Sequence, residues 1–275
     1  MKIVSFNVNG IRARLHQLQA VIEKHAPDII GLQETKVPDG DFPVEAIREM
    51  GYHVTYHGQK SHYGVALMSR QVPVEVVKGL PGDAADSQRR LVGAAYDTGG
   101  GAPVWVFSAY FPQGESRHNA VKFTAKQRFY LELYQYLHDR FEARDALILM
   151  GDANVAPADA DVGIGEDNVR RWLRTGKCSF LPEERDWLQR LLDLGLADTF
   201  RSCHGSLTDC FSWFDYRSRG FERDPRRGLR IDLVLAGGGL IEKCSAAGID
   251  YEIRAMDKPS DHCPVWADID ISLAG

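Results

Sequence analysis

The chain of 275 residues predicts an α/β fold in which mixed β-sheets pack against each other with helices on the outside. Short apolar runs far outnumber helical periodicities, and several follow one another with no helix between them, which a strictly alternating parallel fold does not allow. No fixed repeat, low-complexity tract or long Pro/Ser-rich linker divides the chain, so residues 1–275 read as one domain.

In order, KIVSFNVN opens as a strand, and ARLHQLQAVIEKH places Leu15, Leu18 and Ile22 at helical spacing ahead of Pro27. DIIGLQET, YGVALMSR, LVGAAYD and PVWVFSAYFP read as strands separated by turn-rich breaks. FTAKQRFYLELYQYLHDRFEARD is the clearest helix: Thr124 and Gln127 form a capping-box pattern, and Phe129, Leu133, Leu137 and Phe141 fall near one stripe. ALILMGD follows as a strand, then PEERDWLQRLLDLG as a helix opened by Pro182 and stopped at Gly195. LRIDLVLA and DHCPVWADIDIS supply the last strands.

Hydrophobic residues at 44% and charged residues at 26% fit an ordinary globular protein with a sizeable core. MKIVSFNVNG has one Lys and few apolar residues before Asn7, so no signal peptide is expected, and no run approaches the roughly 18 apolar residues that cross a membrane. Cys178, Cys203, Cys210, Cys244 and Cys263 are odd in number and contain no C-x-x-C, which points to a reducing compartment and so to the cytoplasm. The net charge of −5 does not suggest an anion binder, but its distribution does. From Arg217 to Arg230 six arginines stand against Glu222 and Asp224, and RRWLRTGK (170–177) holds three Arg and one Lys with no acid.

Several apolar strands share a further pattern: each carries an acid, amide, phenol or imidazole at or near one end. These residues are Asn7, Glu34, Tyr110, Asp152 with Asn154, Asp232, and Asp261 with His262. One alone is a turn former; together they suggest strand ends converging on a site. On an extended chain Asp152 and Asn154, two residues apart, share a face. Converging carboxylates need a compensating cation or an imidazolium. The candidate ligands (the carboxylates of Glu34, Asp152, Asp232 and Asp261 with the amide oxygens of Asn7 and Asn154) are hard oxygens, which select Mg²⁺, or Mn²⁺ in its place, over zinc. Magnesium held this way ordinarily meets a substrate phosphate.

Other motifs fail. The stretch 159–170 has Ile164 and Arg170 where a calcium loop needs Gly and Glu, GIGEDN breaks G-x-G-x-x-G at its last position, and Ser260 beside Asp261 and His262 lacks a nucleophile elbow.

The stretches SFNVNGIRAR, IIGLQETK, YFPQGESR, GDANVAP, WLRTGKCSFLPEER, FSWFDYRS, LRIDLVLA and KPSDHCPVW, in this order from Lys2 to about Trp266, closely resemble the bacterial exonuclease III family of the endonuclease/exonuclease/phosphatase superfamily. The resemblance implies a four-layer α/β sandwich and a Mg²⁺-dependent DNA repair hydrolase. Such enzymes cut double-stranded DNA 5′ to abasic sites leaving a 3′-hydroxyl, degrade duplexes from 3′ ends and remove 3′ blocks. It further implies Glu34 as the principal metal carboxylate with Asn7 and Asp261 beside it, Asp152 activating water, and Asn154 positioning it. Asp232 would orient His262 toward the scissile phosphate, and Tyr110 would contact the phosphate or the leaving oxygen. The residues leave Asp152 and His262 both open as the base; a His paired to a carboxylate tends to stay protonated, which favours Asp152.

Trp213, Phe211 and Leu229 would line a pocket for a flipped abasic sugar. Arg90, Gln113, Lys122, Arg217 and the two basic clusters would contact DNA. The superfamily also contains lipid and inositol phosphoesterases; the basic clusters favour a long polyanion over a headgroup, and the filled catalytic positions argue against a scaffold without activity. GFERDPRRGLR (220–230) is longer and richer in Arg than the resemblance leads one to expect, HGSLTDC (204–210) receives no role, and a monomer is expected.

Overall fold

A computed structural model describes residues 1–274. The strands are β1 (Lys2–Asn7), β2 (Ile29–Gln33), β3 (His53–His57), β4 (Val65–Ser69), β5 (Glu75–Lys78), β6 (Leu91–Tyr96), β7 (Val104–Tyr110), β8 (Leu147–Asp152), β9 (Ala197–Asp198), β10 (Asp232–Ala236), β11 (Cys244–Ile249) and β12 (Val265–Ile269). The helices are α1 (Leu15–His25), α2 (Val44–Glu49), α3 (Ala120–Arg140), α4 (Glu166–Arg174), α5 (Pro182–Leu192), α6 (Thr199–His204) and α7 (Tyr251–Arg254). Two six-stranded mixed sheets form, ordered β11-β12-β1-β2-β4-β3 and β5-β6-β7-β8-β10-β9.

The sheets face each other across one apolar layer. Ile3, Ile29, Val65 and Leu67 of the first sheet pack on Val106, Ile148, Met150 and Val234 of the second. Their neighbours point outward: Val4, Phe6, Ile30 and Leu32 meet Leu18 and Val21 of α1, Ile47 of α2 and Ile253 of α7. On the other side Phe107, Leu149 and Leu235 meet Tyr130 and Leu133 of α3 and Trp187 and Leu191 of α5. The order helix, sheet, sheet, helix is the four-layer sandwich expected. Covering both faces of a strand removes the need for polar alternation, which is why β2, β4, β6 and β8 read as continuous apolar runs. Gly31 lets Met150 of the facing sheet pack against the β2 backbone, since a Cβ there would lie 2.6 Å from Met150 Cε.

The eight strands and three helices read from the sequence are all present, with trimmed ends. The start of α3 differs: Asn119 is the N-cap, its side chain accepting the Lys122 N–H at 3.0 Å, so Thr124 and Gln127 lie inside the helix and not at its box. The elements not anticipated have physical excuses. β5 is an exposed edge strand, β11 (CSAAGI) is poor in β-branched residues, and α4 was read as a basic cluster rather than a helix.

One cluster of charge is structural. Arg230, 1% exposed, donates to Asp161 at 2.6 Å and to Asp198 at 2.6 Å, and Arg201 also pairs with Asp161. It therefore does not join the other arginines of 217–230 as a surface contact. Removing one member of a buried ion pair leaves an uncompensated charge, so Arg230→Met is expected to cost about 3–5 kcal/mol in urea denaturation. A loss under about 1 kcal/mol would show that the network contributes little to the fold.

Candidate active site

Strand register brings the site together. In the second sheet Tyr110 lies opposite Asp152 in the parallel β7–β8 pair, and Asp232 lies opposite Asp152 in the antiparallel β8–β10 pair. One row across the sheet thus carries Tyr110, Asp152 and Asp232. In the first sheet Asn7 pairs with Gln33, the residue before Glu34, and Asp261 and His262 lead into β12 beside β1. Both rows sit at the same end of the sandwich, and Asn7 Nδ2 bridges them, donating to Asp152 Oδ2 at 2.9 Å and to Glu34 Oε1 at 3.0 Å.

The imidazole of His262 is held by Asp232, with Nδ1 at 2.9 Å from Oδ2 and 3.0 Å from Oδ1, while Nε2 looks toward Asp152 Oδ2 at 3.7 Å. Asp232 is set by Ser212, whose hydroxyl donates to Oδ2 at 2.6 Å and accepts the N–H groups of Ile231 and Asp232. Burial opposes charge on His262, but the carboxylates of Asp232 and Asp152 outweigh it and raise its pKa to about 10, so the ring is an imidazolium at neutral pH. Burial, with Asp232 and Glu34 as like charges, pushes the Asp152 carboxyl up despite His262. Burial likewise presses upward on Glu34, but Lys36 at 2.9 Å, the Asn7 amide and His262 pull it below its ordinary value. Tyr110 is raised well above the usual phenol range by burial, Glu34 and Asp152, which keeps its proton in place.

Glu34, Asp152 and His262 each offer a ligand atom within 4.8 Å of one another. The four carboxylates Glu34, Asp152, Asp232 and Asp261 outnumber the cations around them, the His262 imidazolium, the Lys36 ammonium and, behind Tyr110, the Arg90 guanidinium, which leaves the largely buried group with a negative excess. A divalent cation with oxygen ligands fits that deficit and that donor set. His262 is turned to Asp232 and protonated, so the oxygens of Glu34 and Asp152 are the donors available; Asp261 lines the same cleft outside this group, its oxygens accepting from Asn9 and the Trp213 indole.

A cleft of about 580 Å³ opens over these groups, lined by Glu34, Tyr110, Asp152, Asn154, Asp261 and His262 at one end. Ile164, Trp172, Trp213 and Ile231 give it an apolar wall, and Arg171, Lys177, Arg217, Arg223 and Arg227 a basic rim. Lys177 lies 3.7 Å from the centroid of the Trp172 ring. Trp213 is strapped by backbone pairing to Leu229, and its indole N–H donates to Asp261 Oδ2 at 3.0 Å.

Four sequence expectations are corrected here. Asp152 and Asn154 do not meet through strand alternation: β8 ends at Asp152, Asn154 turns into the left-handed region (φ 52°), and Asp152 Oδ1 accepts the Asn154 N–H at 3.0 Å. This Asx-type turn brings both to the cleft. Asn7 was expected to supply a ligand oxygen, but its nitrogen faces the carboxylates and its oxygen accepts the Asn9 N–H at 3.1 Å, so it clamps Glu34 to Asp152. Arg90 is 7% exposed, its guanidinium packed against both the Tyr63 (4.2 Å) and Tyr110 (4.7 Å) rings, and it steadies Tyr110 from outside the cleft lining. Leu229 is 1% exposed and supports Trp213 from beneath, and Phe211 is likewise buried, while Ile164 and Ile231 take the lining role.

Gln113 and Arg217 line the cleft, whereas Lys122 stands outside the lining, paired with Glu115 at 2.6 Å. Arg170 is tied to Glu166 and Asp167 on its own helix. The structure adds Lys36, Asn9, Ser212, Trp172 and Tyr63. Lys36, Asn9, Trp172 and Ser212 each lie inside a stretch quoted above (IIGLQETK, SFNVNGIRAR, WLRTGKCSFLPEER and FSWFDYRS), but nothing local gives the contacts of Asn9 and Ser212, whose partners are remote in sequence.

The profile of the Endonuclease/Exonuclease/phosphatase family matches residues 4–262. The chain belongs to that family. An exodeoxyribonuclease III of Haemophilus influenzae is 54% identical over 268 residues, 98% of this chain and 99% of that one. Among solved structures, a 3′ phosphatase from Neisseria bound to a product DNA hairpin superposes with a TM-score of 0.88 at 38% identity, covering 98% of this chain and 99% of that one. An AP endonuclease from Archaeoglobus fulgidus does so with a TM-score of 0.88 at 34% identity, covering 98% and 100%. The resemblance read from the sequence motifs is therefore borne out, and with it the assignment to an enzyme family of phosphate-ester hydrolases. No helix among the described residues is long and apolar enough to cross a membrane.

Asp232 is the main source of the raised His262 pKa, so Asp232→Asn is expected to bring that pKa down from about 10 toward the ordinary value near about 6.5. Titration of the ring followed by NMR measures this, and an unmoved pKa would mean Asp152 alone holds the proton.

Proposed function

We propose that the chain is a Mg²⁺-dependent DNA repair hydrolase, with Mn²⁺ as a substitute ion, built as one catalytic domain over residues 1–275. It cuts the phosphodiester 5′ to an abasic site leaving a 3′-hydroxyl, digests duplexes from 3′ ends and removes 3′-phosphates and other 3′ blocks. The single observation that carries this reading is the joining of the buried carboxylate–imidazolium group to a basic cleft with an apolar wall. A small phosphate ester would need the first alone; a polyanion with a base missing suits both. The named activities of the relatives support the same substrate class. The cytoplasm as its compartment and the monomer as its working form belong to this proposal.

Bound beside Glu34, Asp152 and Asp261, magnesium would supply Lewis-acid stabilisation of charge on the phosphate, worth several kcal/mol. The chain's own residues do the rest. Asp152 takes a proton from the attacking water; its pKa is pushed up, so it is a better base than an ordinary carboxylate. Asn154 spends its amide nitrogen on the Phe111 carbonyl at 2.9 Å, which leaves its oxygen to orient that water. Water attacks phosphorus as the bond to the 3′-oxygen breaks. The His262 imidazolium, fixed by Asp232, donates to a phosphate oxygen, where negative charge grows. Tyr110, a neutral phenol, donates to the phosphate or to the departing oxygen. Gln113 and the arginines of the rim hold the backbone, and Trp213 with Trp172 and Ile231 takes the sugar that lacks a base.

The decisive assay uses a labelled duplex with one internal abasic site and blocked 3′ ends, incubated with Mg²⁺ or with EDTA. A Mg²⁺-dependent single cut leaving a 3′-hydroxyl is expected; no cut beside digestion of an unblocked duplex would confine the activity to 3′ ends. Asp152→Asn should lower the cleavage rate by roughly 10²–10⁴ while duplex binding stays within about threefold. Trp213→Ala should harm abasic-site cutting more than 3′-phosphate removal, and equal losses would refute the pocket.

A further inference from the structure

Lys126 of α3 and Glu184 of α5 are both fully buried and lie 2.5 Å apart, outside the catalytic group. All three protons of the ammonium have acceptors: Glu184 Oε1, the Asn154 carbonyl at 2.9 Å and the Gln113 carbonyl at 3.3 Å. The other oxygen of Glu184 accepts the N–H groups of Ser179 and Leu181, each at 2.8 Å. Three of the backbone points held in this way (Gln113, Asn154 and Ser179) belong to residues that line the cleft. They lie on three different loops, after β7, after β8 and before α5. One turn further along α3, the Tyr130 hydroxyl donates to the Ala153 carbonyl at 2.7 Å, so the helix grips both carbonyls that follow Asp152.

We propose that Lys126 and Glu184 form a positioning pair that holds the Asn154 turn, and with it the water-orienting amide, against the DNA-contacting loop of Gln113. Two physical points lead there. Replacing a buried ion pair by apolar residues of similar size is often neutral for stability, which leaves this pair, bonded to cleft-lining backbone, open to a positioning role. Asn154, meanwhile, sits in the left-handed region, which a non-glycine residue occupies at a cost unless its surroundings impose it. The Lys126 bond to the Asn154 carbonyl and the Asp152 bond to its N–H impose it from both sides. The pair acts through Asn154 and touches no substrate.

The inference rests on Asn154 acting as proposed above, and its test has one arm that does not depend on activity. The variant Lys126→Met/Glu184→Gln removes both charges together while leaving an amide oxygen for the Ser179 and Leu181 N–H groups. Its crystal structure is expected to show the Asn154 amide displaced by about 1 Å or more, a misplacement that costs up to about 10²-fold in rate. On the abasic duplex its kcat should accordingly fall about 10- to 100-fold, with KM changed by less than about threefold. A folded variant with Asn154 in place, or with kcat unchanged, overturns the proposal, and so does equal loss through kcat and KM with Asn154 unmoved. If the double variant does not fold, Glu184→Gln alone carries the test: it forces Lys126 and the two N–H groups to compete for one oxygen, and an unmoved Asn154 with undiminished kcat counts as refutation. Should the unaltered protein cut none of these substrates, the reading of function fails, and the position of Asn154 in the variant still decides this one.

Discussion

Four carboxylates and one imidazole share the closed end of this sandwich, and their mutual repulsion is the constraint around which the rest is arranged. In water such a group would be unremarked; at this depth unmatched negative charge is expensive. The protein answers in part with its own cations, Lys36 on Glu34 and a protonated His262 between Asp232 and Asp152. What remains is a negative excess with oxygen donors that suits a divalent cation. The two upward shifts have different causes: His262 is raised by the carboxylates of Asp232 and Asp152, whereas Asp152 is raised by burial and by its carboxylate neighbours against the pull of His262.

The sandwich suits this task because it lets two sheets deliver their ends to one place without bending either. Parallel pairing of β1 with β2 and of β7 with β8 puts strand ends of the same sense side by side. The Asn7 amide then closes the distance between the sheets. Behind it, Gln33 donates to Ser108 at 3.0 Å across the same interface, which fixes the sheets' relative slide where apolar packing alone would tolerate a shift. The helices add the finer placement, with α3 gripping the backbone on the far side of Asp152.

The arginines divide by surroundings and not by residue type. Arg217, Arg223 and Arg227 reach the cleft, Arg226 packs 4.8 Å from the Phe221 ring centroid, and Arg230 is locked under the surface by two aspartates. Arg90 follows the same logic near the catalytic group: a cation packed against two phenol rings orders Tyr63 and Tyr110. A local run of positive charge therefore states how many cations there are and leaves open how many of them a ligand can meet.

The sequence by itself determined eight of the twelve strands, the main helices and the chemical kind of the site. Glu34, Asp152, Asp232, Asp261 and His262 each stand at the edge of an apolar run, and that placement survives because strand boundaries are set by local burial and turn chemistry. Tertiary structure alone decided the directions. That Asn7 presents nitrogen, that Arg90 and Arg230 are buried, that Leu229 props Trp213 from below, and that Ser212 sets Asp232 all depend on partners from 16 to 145 residues away. Even Asp152 and Asn154, adjacent enough to suggest a shared strand face, meet through a turn whose left-handed residue is held from α3. Local pattern says which groups arrive at a site; only the closed fold, through the hydrogen bonds it obliges buried groups to make, says which atom each of them offers.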